Sequence, residues 1–128
     1  MSHGLLAYLS ADFSDDDVRA LRELVTNLAS SGGWSHKPPM FVDEVDDSSC
    51  TRPEDEPVRT VGVLLKVSEP GESPMTLVDE LMRLLDALSL FSSERGVELE
   101  VQLDDTYVGE IRNGVPDRLI REGLLARW

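Results

Sequence analysis

The run Val97 to Leu103 (VELEVQL) alternates without a break, and nothing else in the chain restricts the fold as tightly. Val97, Leu99, Val101 and Leu103 point one way, and Glu98, Glu100 and Gln102 point the other. Successive side chains of a strand lie on opposite faces, so this is a half-exposed antiparallel strand. An amphipathic helix would repeat its apolar residues about every 3.6 positions instead. Asp104-Asp105-Thr106 turns the chain into a second strand, Tyr107 to Ile111 (YVGEI), and Asn113-Gly114 is a further turn that suits positive φ. A Pro-started helical segment follows and closes on Trp128. Such a chain must build a sheet with one face on an apolar layer and one toward water.

Two stretches supply that layer. Ser14 reads as an N-cap, followed by Asp15, Asp16 and Asp17 where the helix dipole favours negative charge. Asp17, three after Ser14, completes a near capping box. Val18, Leu21, Leu24, Val25 and Leu28 form one helical stripe, and Ser31-Gly32-Gly33 stops it near Ser30. The second helix starts with Ser73 as cap and Pro74 at its first position. Its apolar set, Leu77, Val78, Leu81, Leu84, Leu85, Leu88 and Phe91, with Met82 at the margin, is wide enough for the main core helix, and Gly96 ends it. Asp79, Glu80, Arg83 and Asp86 are assigned to the opposite face, with Glu80 and Arg83 spaced for a surface pair.

The remaining strands are less regular. Leu5 to Leu9 (LLAYL) suits a strand buried on both faces, and Met40 to Val45 a second strand. Val58 to Val67 (VRTVGVLLKV) has the strongest strand composition and the look of a central strand, with Gly62 marking a bulge or a close helix crossing. Residues 46–57 (DDSSCTRPEDEP) read as a flexible acidic loop. The order is β-α-β-β-α-β-β-α. It predicts a single α+β domain over residues 1–128, a two-layer sandwich whose mostly antiparallel sheet carries two main helices on one face, in a ferredoxin-like or related arrangement.

A chain of 128 residues with 41% hydrophobic and 29% charged residues forms a globular core without staples. Its charge is the outlier: 25 acidic against 12 basic residues give −13. Phosphate neutralisation and attraction to anionic membranes both need the opposite sign, so neither nucleic acid nor membrane is an expected partner. Cys50 is the single cysteine, which excludes an intrachain disulfide and favours a reducing compartment. MSHGLLAYLS lacks the basic start and apolar core of a signal peptide, and no apolar run approaches the ~20 residues of a membrane span. The expected location is cytoplasmic.

Most chemistries lack their parts. A hydrolytic triad has only His3 and His36 to draw on, and no GxSxG frames a serine. The Gly32-Gly33 pair follows a helix instead of opening one, and Lys37 and Lys66 are the sole lysines, so a phosphate loop is absent. His36 has no second histidine or nearby cysteine to form a metal set, and Asp15 to Asp17 are dipole partners. Cys50 stands among Asp46, Asp47, Glu54, Asp55 and Glu56 with only Arg52 to counter them, which disfavours a thiolate. No catalytic residue, metal or cofactor is assigned, and the chain is read as non-enzymatic. The candidate surface is acidic: Asp43, Glu44, Asp46 and Asp47, the turn Asp104-Asp105, and Tyr107 with Phe41. Folded side by side, these residues would clasp a basic protein. Trp34 is a lid on the core or an anchor for that partner.

The tail adds a resemblance. Gly109-Glu110-Ile111-Arg112-Asn113-Gly114, then Asp117, Leu119-Ile120, Gly123-Leu124-Leu125 and Trp128, resembles the ends of small bacterial immunity proteins of polymorphic-toxin and contact-dependent inhibition systems. There a strand carries an I-x-N-G turn and the chain closes with G-L-L-x-x-W. The likeness covers about a quarter of the chain and transfers no binding residues. It implies a small, cytoplasmic, non-enzymatic protein that neutralises one cognate toxin, here a basic domain. An accessory or structural interaction module of a bacterial system and a small carboxylate-dependent enzyme stay open as alternatives.

Overall fold

Alternation puts Leu5, Ala7 and Leu9 on one side of the first strand, β1 (Ser2–Leu9), where they are buried. Leu6 and Tyr8, on the other side, are only half-buried, so the strand expected to be covered on both faces is covered on one. The structure is a computed structural model that describes residues 2–10, 13–34, 37–46, 58–68, 77–104 and 106–124. After β1 come α1 (Asp15–Ser30), β2 (Met40–Asp46), β3 (Val58–Ser68), α2 (Leu77–Arg95), β4 (Leu99–Leu103), β5 (Thr106–Arg112), the short β6 (Val115–Pro116) and a π-helical turn, Leu119–Leu124.

The six strands form one sheet in the order β2-β3-β1-β4-β5-β6, with every neighbouring pair antiparallel. Consequently β1 and β2 run parallel with β3 between them, and β3 and β4 run parallel with β1 between them. These are two interlocked split β-α-β units. A half-turn about the sheet normal carries one onto the other, so one crossover hand lays α1 and α2 on the same face. Val18, Leu21 and Val25 of α1 and Leu81, Leu84 and Leu88 of α2 close over Leu5, Ala7, Val61, Val63, Leu65, Leu99 and Val101 in a single core. The expected two-layer α+β sandwich is the observed one.

Local chemistry sets the element ends. At the start of α1, the Asp17 amide donates to Ser14 Oγ at 3.2 Å, and the Ser14 amide donates to Asp17 Oδ2 at 2.9 Å. Arg95, in the last turn of α2, donates to the same carboxylate at 2.7 Å and ties the two helices. The Ser14 amide, opposed by partial burial and helped by Arg95, holds the Asp17 carboxyl below its usual range. Gly96 follows α2 in a left-handed conformation, as expected, while the Ser73-Pro74 start lies outside the described residues. Two assignments on α2 need correction. Glu80 is buried, because it continues the stripe of Leu84, Leu88 and Phe91 at helical spacing. Arg83 reaches back to the end of α1 instead of pairing along its own helix. Gly62 is a close approach, but to a strand: a Cβ there would stand 2.1 Å from the Ala7 carbonyl oxygen of β1.

The tail closes the core differently from the expectation. Asn113 and Gly114 make the turn with φ of 52° and 78°. Pro116 is not the start of a helix; it pairs opposite Ile111 in β6. Asp117 begins the helical segment instead, its Oδ1 accepting the Ile120 amide at 3.1 Å. Ile120 is fully buried against β5, whereas Leu125 and Trp128 of the expected latch, and the side chain of Leu124, fall outside what is described. Gly109 is what lets Ile120 in: a Cβ there would lie 2.4 Å from Ile120 Cγ1 and 2.6 Å from Asp117 Oδ1, on a backbone with φ of 143°. Ile120→Ala is expected to cost about 2–5 kcal/mol in urea unfolding. Gly109→Ala should cost about 1–3 kcal/mol through overpacking alone. Unfolding curves identical to the parent for both variants would show that the tail does not dock.

Candidate functional site

The sheet has a second face on which no described helix packs, and the register shows which residues share it. One row crosses five strands: Met40 in β2, Leu64 in β3, Leu6 in β1, Gln102 in β4 and Tyr107 in β5. The next row holds Val42, Gly62, Tyr8, Glu100 and Glu110, and a third brings Glu44 and Thr60 into line. At ~4.8 Å per strand, the first row is about 19 Å wide. Its two ends, Met40 and Tyr107, are 48% and 46% exposed. The middle is a half-buried apolar band beside carboxylates.

Tyr107 reaches this face because of a β-bulge. An unbroken alternation in β5 would put Tyr107 on the side of Ile111, which is core. The pairing shifts between Val101 and Gln102, so that Val101 faces Gly109 while Gln102 faces Tyr107, leaving Val108 as the extra residue. Val108 is buried and Tyr107 turns outward. Around it the field is negative: burial first, then Glu110, Asp117 and Glu100, raise the Tyr107 hydroxyl above its ordinary range. At the centre, the Tyr8 hydroxyl donates to Glu100 Oε2 and accepts from Gln102 Nε2 at 3.2 Å. Arg112 bonds Glu110 at 3.0 Å and lies 3.8 Å from Glu98.

The acidic residues singled out in the sequence do not meet. Asp43, Glu44 and Asp46 lie on the edge strand β2, while Asp104 stands at the other end of the sheet beside Gly4. Counting strands and residues along the register, roughly 20–30 Å separates them. That exceeds the screening length of about 8–10 Å, so the two groups act as separate charges. Several also have structural work. Asp43 receives Arg59 Nε at 3.0 Å and Nη2 at 2.9 Å, and those bonds, opposed by burial, hold its carboxyl below the usual range. Asp104, with φ of 50°, accepts the Gly4 amide at 2.8 Å through Oδ1, and its own amide donates to the Gly4 carbonyl. Glu44 is exposed; Asp47 and Asp105 lie outside the described residues, as does the side chain of Asp46.

Trp34 is neither a free anchor nor a fully buried lid. It is half-buried against the core, its indole Nε1 donates to the Leu28 carbonyl at 3.0 Å, and the Arg83 guanidinium lies 4.3 Å from its ring centroid. Arg83 also donates to the Gly32 carbonyl at 2.9 Å and to Ser31 Oγ, so the Trp34–Arg83 stack latches the α1 stop to α2. Of the five candidate residues whose side chains are described, Tyr107 and Glu44 stay on the open face. The residues missed were Met40, Tyr8, Leu64 and Glu110, which the alternation of four strands could have grouped had the strand order been known.

Among the described residues, no group of His, Cys, Asp and Glu is placed to hold a metal ion, and no helix is long and apolar enough to cross a membrane. His36 and Cys50 lie outside those residues. No family model, no curated protein and no solved structure matches the chain.

Tyr8 gives this surface a pH signature. Burial first, then its hydrogen bond to Glu100, push the phenol from 10.0 up to about 12. The folded state therefore keeps a proton that an unfolded tyrosine releases near 10. That stabilisation is complete below pH ~10 and lost as the pH rises toward ~12. An ultraviolet titration should show both tyrosines ionising above the free value, with a last step at about 12 that belongs to Tyr8. Tyr8→Phe should remove that step and flatten stability over the same window; a late step that persists in the variant would assign it elsewhere.

Proposed function

We propose that this chain is a non-enzymatic acidic inhibitor of the immunity type, which covers a basic toxin domain with the open face of its sheet. The observation that carries the reading is the row Met40–Leu64–Leu6–Gln102–Tyr107. It is a largely apolar band with two exposed ends, backed by Glu100 and Glu110 and covered by no helix among the described residues. Exposed apolar and aromatic side chains held together on a rigid sheet are the form that interface anchors take. A surrounding charge of −13 speeds encounter with a basic protein and rejects acidic ones. The tail's likeness to immunity proteins points to a toxin as the partner. The cytoplasm, where such a toxin would act, is the corresponding location.

Occlusion needs no chemistry from the inhibitor. Tyr107 and Met40 would fill apolar hollows on the toxin, and the carboxylates would meet Lys and Arg residues that otherwise contact the toxin's own substrate. Co-expression with a toxin domain encoded by an adjacent reading frame should restore the growth that the toxin alone arrests. Tyr107→Ala should weaken the purified complex by about 2 kcal/mol, about thirtyfold in Kd, without changing the thermal melt. No rescue by the parent protein would sink the inhibitor reading. Rescue with undiminished affinity in a Met40→Lys, Tyr107→Lys double variant would move the interface off this face.

A further inference from the structure

We propose that the furrow between α1 and α2 is a separate docking site for a basic amphipathic helix of a protein partner. It lies on the helical layer, which is the far side of the molecule from the open sheet face, and does not depend on the reading above. The two helices turn their inner stripes to the core, and on their outer sides they leave a groove of about 370 Å³. Ala20 of α1 and Ala87 of α2 both line it, and their small side chains leave it open. Leu24, Leu90 and the largely buried Phe91 are its larger apolar residues. Leu90 is 60% exposed, although it belongs to the core helix, so most of its apolar surface has no role within the fold.

Charge decides the occupant. Glu23 from α1 and Glu94 from α2 line the groove on its two sides and are exposed. Among the described residues that line it, the one cation is Arg95, and it is held by Asp17 at 2.7 Å. An apolar floor between acidic rims is the complement of a helix that carries Leu-like residues at helical spacing with Lys or Arg beside them. A second copy of this chain would bring acidic rims against acidic rims. A small ligand would need several convergent polar groups, and among the described residues that line the groove Asn27 is the one uncharged polar side chain, beside alanine, leucine and phenylalanine.

The test uses the full-length, isotope-labelled protein at physiological salt. One probe is a synthetic Leu/Lys peptide patterned as an amphipathic helix, and the other is the same composition scrambled. The patterned peptide should shift the amides of Ala20, Leu24, Ala87 and Leu90 and bind at least about tenfold more tightly than the scrambled one. Leu90→Lys, at an exposed position, should reduce that affinity about tenfold and leave the melt unchanged. Equal binding of both peptides, shifts confined to Leu6 and Tyr107, or unchanged affinity in Leu90→Lys would each overturn the proposal. Growth rescue by the open face reports on the other site, so either reading can fail alone.

Discussion

Strand β1 is hydrogen-bonded along both edges, to β3 and to β4, and the remaining elements are positioned by that double pairing. Leu5, Ala7 and Leu9 alternate on it with Leu6 and Tyr8, so one register decides at once which residues enter the core and which reach the open face. Slipping either neighbour by one residue would invert every side chain it carries. The tight contact of Gly62 with the β1 backbone adds a steric lock, since any side chain there would strike Ala7. The helices follow as consequences: each crosses from one strand to the strand two places away and covers the apolar side.

The charge of the chain is less available than its size suggests. Asp17 caps α1 and holds Arg95; Asp43 holds Arg59; Asp117 caps the terminal turn; Glu100 receives the Tyr8 hydroxyl. Asp104 fastens the β4–β5 turn to β1. These carboxylates are committed to backbone amides and to internal cations. Among the described residues, the committed carboxylates are spread over several elements. With those charges spread out, the apolar features set among them carry more of the specificity than the net charge does. The aromatic band on the sheet and the alanine-floored furrow between the helices are two such features, on opposite layers.

The β-bulge in β5 joins stability to the candidate surface. The extra residue, Val108, goes into the core, Gly109 makes room for Ile120, and Tyr107 is turned out to water. A single irregularity thus seats the tail and exposes the aromatic residue. Removing it would exchange Tyr107 for a core position and break both.

The sequence by itself determined the elements whose causes are local. The capping box of Ser14 and Asp17, the glycine stop after α1, the alternation of β4 and the Asn113-Gly114 turn each depend on residues within a few positions, and each is where the pattern placed it. The α+β class followed from the same patterns. Only the tertiary structure decided what depends on contacts between distant segments. Strand order placed β2 and the β4–β5 turn at opposite corners and so divided the acidic residues that had been grouped together. Pairing with β4 introduced the bulge that turned Tyr107 outward, and docking of α2 drew Arg83 onto Trp34. A chain's periodicity states which face each residue wants, but not which strand it will lie beside. The candidate surface is made of just such neighbours, and it became visible only when β1 was seen between β3 and β4.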